Sequence, residues 1–77
     1  MKKVTVYSTP TCTYCKMTKD FFATNNVSYE DIDVSTNEEK RNEMVEKSGQ
    51  MGVPVLDIEG QIIVGFDEPK IREALGL

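Results

Sequence analysis

Histidine and tryptophan are absent from this chain of 77 residues, and only two cysteines occur. Without histidine the chain lacks the usual general base, the commonest metal ligand and every catalytic pair in which histidine activates serine or cysteine. A structural zinc site needs about four ligands, and the two cysteines supply only part of that set. The chemistry of this chain therefore depends on its two thiols.

Basic charge is also scarce, because 9 Lys and Arg side chains stand against 13 Asp and Glu side chains, for a net charge of -4. Basic residues never occur more than two in a row. The chain therefore presents no electrostatic footprint for a phosphate backbone, and we expect no nucleic-acid partner.

Long apolar runs are missing as well. Near the start of the chain, apolar residues alternate with polar ones and fall short of a signal core of roughly 7–15 residues or a membrane span of about 20. We expect a protein without a membrane partner that is located in the cytoplasm, where thiols are kept reduced. With 39% hydrophobic and 29% charged residues and no repeat or linker, residues 1–77 are expected to form one domain and to be monomeric.

The first half of the chain predicts a strand, a helix and a second strand. A β-branched and aromatic run favours a strand over Lys3–Tyr7. Aromatic and methionine side chains recur at helical spacing from Thr13 to about Thr24, and Thr11 is placed to cap that helix or lead into it. Apolar and polar residues then alternate over Val27–Val34, which is typical of a half-buried strand.

The next segment predicts a second helix that packs through few apolar side chains. Ser35 and Glu38 have the spacing of a capping box, in which both side chains bind backbone amides at a helix start. The helix is expected to run to about Ser48 and to stop at Gly49 in a left-handed conformation. Its apolar stripe is thin, so most of its surface should face water.

The last third of the chain predicts a hairpin and a final helix. Two β-branched runs, Val53–Ile58 and Gln61–Val64, flank the two-residue turn Glu59–Gly60. Asp67 is expected to cap the last helix, with Pro69 in its first turn. The predicted order is β-α-β-α-β-β-α. A parallel crossover followed by an antiparallel hairpin gives an α/β fold with a mixed four-stranded sheet and helices on both faces.

Both cysteines lie in Cys12–Cys15, directly after the first strand and at the start of the first helix. The unpaired amides and the positive dipole end of a helix's first turn favour a thiolate on Cys12. Cys15 follows one turn later, where the dipole helps less and burial favours the neutral thiol. We therefore assign Cys12 as the thiolate that attacks a target disulfide and Cys15 as the thiol that resolves the mixed disulfide.

Other interpretations of these residues remain. A structural disulfide across four residues would remove little chain entropy and is uncommon in a reducing compartment. A metal or iron–sulfur site would require cysteines from two chains. Pro54 is either a proline that opens an edge strand or part of a peptide-binding segment, in which the Val53 backbone pairs with an extended thiol peptide.

A set of residues spread over nearly the whole chain resembles the glutaredoxins and glutaredoxin-like redoxins of the thioredoxin fold. The set consists of Tyr7, Cys12-x-Tyr14-Cys15, Ser48-Gly49, Val53-Pro54 and Gly65-Phe66-Asp67. The resemblance implies that Cys12 is the nucleophile and that the Val53–Pro54 peptide bond is cis. It also implies glutathione as a co-substrate that is not tightly bound and disulfide-containing proteins as targets. No resident metal is expected, because the two cysteines supply too few ligands.

The resemblance further implies a groove for glutathione. Tyr14 would lie beside the thiols, the Val53 backbone would bind the cysteinyl part, and Asp67 would bind the γ-glutamyl amine. Arg41 or Lys40, on the second helix, would bind the glycine carboxylate. Asp67 and Arg41 also have plain structural interpretations, as a helix cap and a solvated charge.

This sequence departs from the common glutaredoxin pattern at three positions. Thr13 replaces the proline before tyrosine, Thr9 replaces a frequent lysine, and Val64 replaces a second glycine. Gly65-Phe66 is instead similar to the redoxins that reduce ribonucleotide reductase and take electrons from thioredoxin reductase, a flavin-dependent disulfide reductase. Two further alternatives are an iron–sulfur or metal carrier with one cysteine per chain in a dimer, and an interaction module without redox activity.

Overall fold

The computed structural model describes residues 3–77, so Met1 and Lys2 of the predicted domain lie outside it. Within that range the elements follow the predicted order. They are β1 (Val4–Ser8), α1 (Thr13–Thr24), β2 (Glu30–Asp33), α2 (Glu38–Ser48), β3 (Val55–Ile58), β4 (Gln61–Val64) and α3 (Glu68–Leu75). None of these three helices is long and apolar enough to cross a membrane.

The four strands form one mixed sheet in the order β2-β1-β3-β4. β1 pairs with β2 in parallel, and the register places Thr5 opposite Glu30. β1 pairs with β3, and β3 with β4, in antiparallel fashion. The predicted mixed sheet is confirmed. Since β1 is central, the loop that follows it carries Cys12 to the end of the sheet where α1 begins.

Alternating side chains of the sheet build two hydrophobic layers. On one face the buried side chains of the sheet pack against α1 and α3. This cluster contains Val4, Val6, Phe22, Leu56, Ile58, Ile63, Ile71 and Ala74. On the other face a smaller cluster packs against α2; it contains Tyr7, Val34, Met44 and Val55. Helices therefore cover both faces, as predicted, and α2 contributes a single fully buried side chain, Met44.

The predicted capping box of α2 is wrong. Asn37 is the N-cap, and its side-chain oxygen accepts the backbone N–H of Lys40 at 3.0 Å. Ser35 instead turns back to Asp33, whose carboxylate accepts from both the amide and the hydroxyl of Ser35. This local hydrogen-bonded turn satisfies Ser35 before the helix begins. The predicted stop at Gly49 is confirmed, with φ of 76°.

Two strands are shorter than the sequence pattern predicts. β2 begins only at Glu30, and the amide of Val27 still bonds the carbonyl of Phe22 in α1, at 2.8 Å. β3 begins at Val55, which leaves Val53 and Pro54 in the preceding segment. The predicted hairpin turn is confirmed, and both of its residues have positive φ, as a type I′ turn requires.

Candidate functional site

The head of α1 holds both thiols. Cys12 is the N-cap residue with extended backbone angles, and Thr11 leads into the helix. The Cys12 sulfur accepts the backbone N–H of Cys15 at a distance of 3.1 Å. Cys12 is half-buried, whereas Cys15 is 1% exposed one turn further along. A partner molecule can therefore reach the Cys12 sulfur while Cys15 lies behind it.

The segment before β3 faces Cys12 from across the sheet end. The Cys12 thiol donates to the Val53 carbonyl oxygen at 3.8 Å. The Val53–Pro54 peptide bond is cis, as the family resemblance implies. The Pro54 carbonyl accepts the backbone N–H of Gly65 at 2.8 Å. The fold thus brings Cys12, Val53 and Pro54 together from positions that are more than forty residues apart in sequence.

The electrostatic environments of the two sulfurs differ. Burial, followed by the hydrogen bond to Cys12, raises the pKa of Cys15 to about 12, while the backbone amide of Thr9 acts in the opposite direction. Cys15 is therefore a neutral thiol near pH 7, as the sequence predicts. Cys12 lies at the positive dipole end of α1, whose first turn contains no acidic side chain. The two sulfurs therefore differ in burial, and the outer one lies at the helix terminus.

A groove of about 640 Å³ opens beside Cys12. It is lined by Tyr14, by Val53 and Pro54, and by residues 64–69, which lead into α3. Tyr14 is 62% exposed, so its ring forms an open apolar wall. Asp67 caps α3 by accepting the Lys70 amide at 3.4 Å. Four of the residues predicted for substrate binding therefore lie along one groove.

Arg41 and Lys40, the predicted partners of a glycine carboxylate, lie elsewhere. Both belong to α2, and neither lines this groove. Lys40 lines a polar cavity of about 300 Å³ on the α2 side of the sheet. Of the described groove residues, none is a lysine or an arginine, and two are the acids Asp67 and Glu68. The role of Arg41 stays a prediction.

Metal-ligating side chains do not gather at this site. Among residues 3–77, no group of three or more His, Cys, Asp and Glu side chains is arranged to hold a metal ion. Cys12 and Cys15 are both free thiols. A cluster shared between two chains would have to draw its ligands from Cys12, because Cys15 is buried behind it.

A polar network on the α2 face was not predicted from the sequence. The buried Tyr7 hydroxyl donates to Glu43 at 2.8 Å and accepts from Lys47 at 3.1 Å, and Lys47 also pairs with Asp57 at 3.0 Å. Burial raises the pKa of Tyr7, and the Tyr7 hydrogen bond lowers that of Glu43. The network ties α2 to β1 and β3. Its partners are too distant in sequence for periodicity or motif spacing to reveal them.

Comparison with known proteins identifies the family of this chain. Residues 4–63 match the family model for glutaredoxin. The chain is 44% identical to an uncharacterized glutaredoxin-like 8.6 kDa protein of the rubredoxin operon of Clostridium pasteurianum, over 94% of this chain and 96% of that protein. It is 34% identical to glutaredoxin 3 of Escherichia coli, over 99% of this chain and 92% of that protein.

Solved structures show the same relationship at the level of the fold. The glutaredoxin of Archaeoglobus fulgidus superposes on this chain with a TM-score of 0.88 and 26% sequence identity. The match covers 97% of this chain and 87% of that structure. The shared fold is thioredoxin-like.

Proposed function

Because this chain belongs to the glutaredoxin family, we propose that it reduces disulfide bonds in other proteins through the dithiol Cys12 and Cys15. The family and the fold support thiol–disulfide oxidoreductase activity. The proposed compartment is the cytoplasm, where small-molecule and protein reductants keep thiols reduced. The proposed functional unit is a single chain of one domain.

The reaction proceeds by two thiol–disulfide exchanges. The Cys12 thiolate attacks one sulfur of the target disulfide, forms a mixed disulfide and releases the other target sulfur as a thiolate, which takes a proton from solvent. Cys15 then loses its proton and attacks the Cys12 sulfur. The second target sulfur leaves and is protonated, so the target gains two electrons and two protons while Cys12 and Cys15 become a disulfide.

One observation carries this assignment. The Cys12 sulfur is partly accessible, accepts the Cys15 amide and faces the Val53 carbonyl, whereas Cys15 is buried directly behind it. An incoming disulfide can therefore reach only Cys12, and the nearest thiol to the resulting mixed disulfide is Cys15. An extended target segment could pair with the Val53 backbone as an added strand does.

Glutathione is the first candidate for the electron donor. In the groove beside Cys12, the Val53 backbone would bind its cysteinyl part, Tyr14 would flank it, and the Asp67 carboxylate would bind the γ-glutamyl amine. Asp67→Asn separates this role from helix capping, because asparagine caps about as well as aspartate. We expect the KM for a glutathione mixed disulfide to rise in this variant without a change in thermal stability. An unchanged KM would remove Asp67 from the glutathione site.

A flavin-dependent disulfide reductase such as thioredoxin reductase is the second candidate donor, with ribonucleotide reductase among the possible electron acceptors. The charge of the groove favours this alternative. Besides its amine, glutathione carries two carboxylates, and the described groove residues include no lysine or arginine to bind them. The binding of a protein donor would not depend on a lysine or arginine in this groove.

Turnover with the two donors tests the proposal. A protein disulfide is supplied with NADPH and either glutathione plus its reductase or thioredoxin reductase, and NADPH oxidation is followed. We expect turnover with at least one donor, and failure with both would overturn the carrier assignment. Cys12→Ser should lose all activity. Cys15→Ser should lose protein-disulfide reduction and keep some deglutathionylation, because that reaction needs a single thiol.

A further inference from the structure

An ion pair on the Cys15 side of α1 is not used by the mechanism above. Lys19 follows Cys15 by four residues, so the two side chains share one face of the helix. The Lys19 ammonium lies 2.8 Å from the Asp31 carboxylate on β2. Asp31 also accepts the hydroxyl of Ser8 at 2.6 Å, and Ser8, at the end of β1, is 1% exposed. A side chain anchored in the sheet thus fixes the position of Lys19.

The resolving step requires negative charge on a buried atom. Cys15 must lose a proton before it attacks, yet it is 1% exposed and the chain contains no histidine to accept that proton. Lys19, on the same helix, interacts electrostatically with Cys15. Lys19 itself interacts with Asp31 and Asp33 on β2 and with Tyr29, and the Cys12 sulfur is neutral in a mixed disulfide. Lys19 is therefore a cation whose charge favours the Cys15 thiolate.

We propose that Lys19, held by Asp31 and Ser8, is a positioning residue for the resolving step, in which its positive charge stabilises the Cys15 thiolate as that thiolate attacks the mixed disulfide. The proposal rests on the proposed dithiol function. Lys19 forms no bond and transfers no proton. The Cys15 sulfur bonds to the Cys12 sulfur, the bond from Cys12 to the target breaks, and the proton from Cys15 passes through solvent to the departing target thiolate.

Lys16 provides a matched control. It is also a lysine near the head of α1, but it is exposed and follows Cys15 by one residue, about 100° around the helix. Lys19→Arg keeps the charge and can pair with Asp31, whereas Lys19→Met keeps most of the side-chain length and removes the charge. The three variants Lys19→Met, Lys19→Arg and Lys16→Met therefore separate the charge at this position from its general effect on the domain.

The aromatic disulfide 5,5′-dithiobis(2-nitrobenzoic acid) measures the resolving step directly. Attack by Cys12 releases one coloured thiolate, and resolution by Cys15 releases a second, so stopped-flow absorbance gives two phases. Suppose that removal of the charge makes the Cys15 thiolate about tenfold rarer. The more basic thiolate is also a better nucleophile, which offsets part of this loss of rate. The second phase of Lys19→Met should then be roughly threefold slower at pH 7, and below the Cys15 pKa its pH–rate curve should be displaced toward higher pH by about half a pH unit.

We expect the first phase to be nearly unchanged in Lys19→Met, and Lys19→Arg and Lys16→Met to keep both phases within about 1.5-fold of the unmodified protein. A lower melting temperature for Lys19→Met with an unchanged second phase would show that the ion pair only joins α1 to β2, and would overturn the proposal. So would an equal slowing in Lys16→Met or a failure of Lys19→Arg to restore the rate. Absence of a second phase in the unmodified protein would instead overturn the dithiol function itself.

Discussion

Cys15 should resist alkylation far more strongly than an ordinary cysteine. The perturbation is iodoacetamide added to the reduced protein at pH 7.5, since only the thiolate form of a cysteine reacts with it. Burial raises the pKa of Cys15 to about 12. An ordinary thiol, with a pKa near 8.5, is roughly 9% ionised at this pH, whereas the Cys15 thiol is ionised to only about 0.003%.

The expected rate follows from these two fractions. The thiolate of Cys15 is roughly 3,000-fold rarer than that of an ordinary cysteine. A Brønsted coefficient of about 0.4 makes the more basic thiolate roughly 25-fold more nucleophilic. The net reaction of Cys15 is therefore about a hundredfold slower, and its 1% exposure slows the reagent further. Essentially all of the first label should be on Cys12.

Fragment-ion mass spectrometry of the singly alkylated protein assigns the label to one cysteine or the other. Free cysteine in the same tube supplies the reference rate. Cys12→Ser, which leaves Cys15 as the single thiol, should still react more slowly than free cysteine because Cys15 is 1% exposed, although the loss of the hydrogen bond to Cys12 removes one of the causes that raise the Cys15 pKa. Comparable labelling of Cys12 and Cys15 in the unmodified protein would refute the buried, neutral state of the resolving thiol.

Three further predictions concern stability. Met44→Ala should lower the free energy of unfolding by about 2–5 kcal/mol, measured by urea titration, because Met44 is fully buried under α2; a loss below about 1 kcal/mol would contradict this packing. Lys47→Met should lower it by about 1 kcal/mol at pH 7. The pKa of Lys47 is raised by its hydrogen bonds to Tyr7 and Asp57. The difference in free energy of unfolding between the variant and the unmodified protein should therefore be complete below about pH 10.4 and disappear as pH rises through the folded-state pKa. A constant difference up to the highest pH measured would count against the network. The pKa of Glu43 is lowered by the Tyr7 hydrogen bond, so Glu43→Gln should destabilise the fold at pH 7. That difference should fade as pH falls below about 4.3, which thermal melts at pH 3 and pH 7 can check.

Local signals in the sequence were sufficient for most of the fold. Periodicity distinguished strands from helices. Glu59–Gly60 indicated the hairpin, because a two-residue loop between antiparallel strands requires positive φ, which both residues have. The N-terminal position of Cys12 on α1 followed from the strand, loop and helix pattern around it. The prediction failed where two local hydrogen-bond patterns competed: Ser35 matched a capping box, but its nearest acceptor was Asp33, so Asn37 capped the helix instead.

Contacts between distant segments were beyond the reach of sequence patterns. Cys12 and Val53 are 41 residues apart, and only the family resemblance indicated that they would meet. Tyr7 was one of the residues that carry the family resemblance, but the sequence assigned it no role. Its partners on α2 are evident only from the way the helix packs over the sheet. The same applies to Lys19, whose pairing with Asp31 depends on how α1 crosses β2.

The order of the two thiols can be tested by trapping the mixed disulfide. Cys15→Ser and Cys12→Ser are each incubated with an oxidised protein substrate, the reaction is quenched with acid, and non-reducing electrophoresis with peptide mass spectrometry locates the adduct. Cys15→Ser should accumulate a covalent complex joined through Cys12, and Cys12→Ser should form none. A complex joined through Cys15 at a comparable rate would contradict the assignment of Cys12 as the attacking thiol.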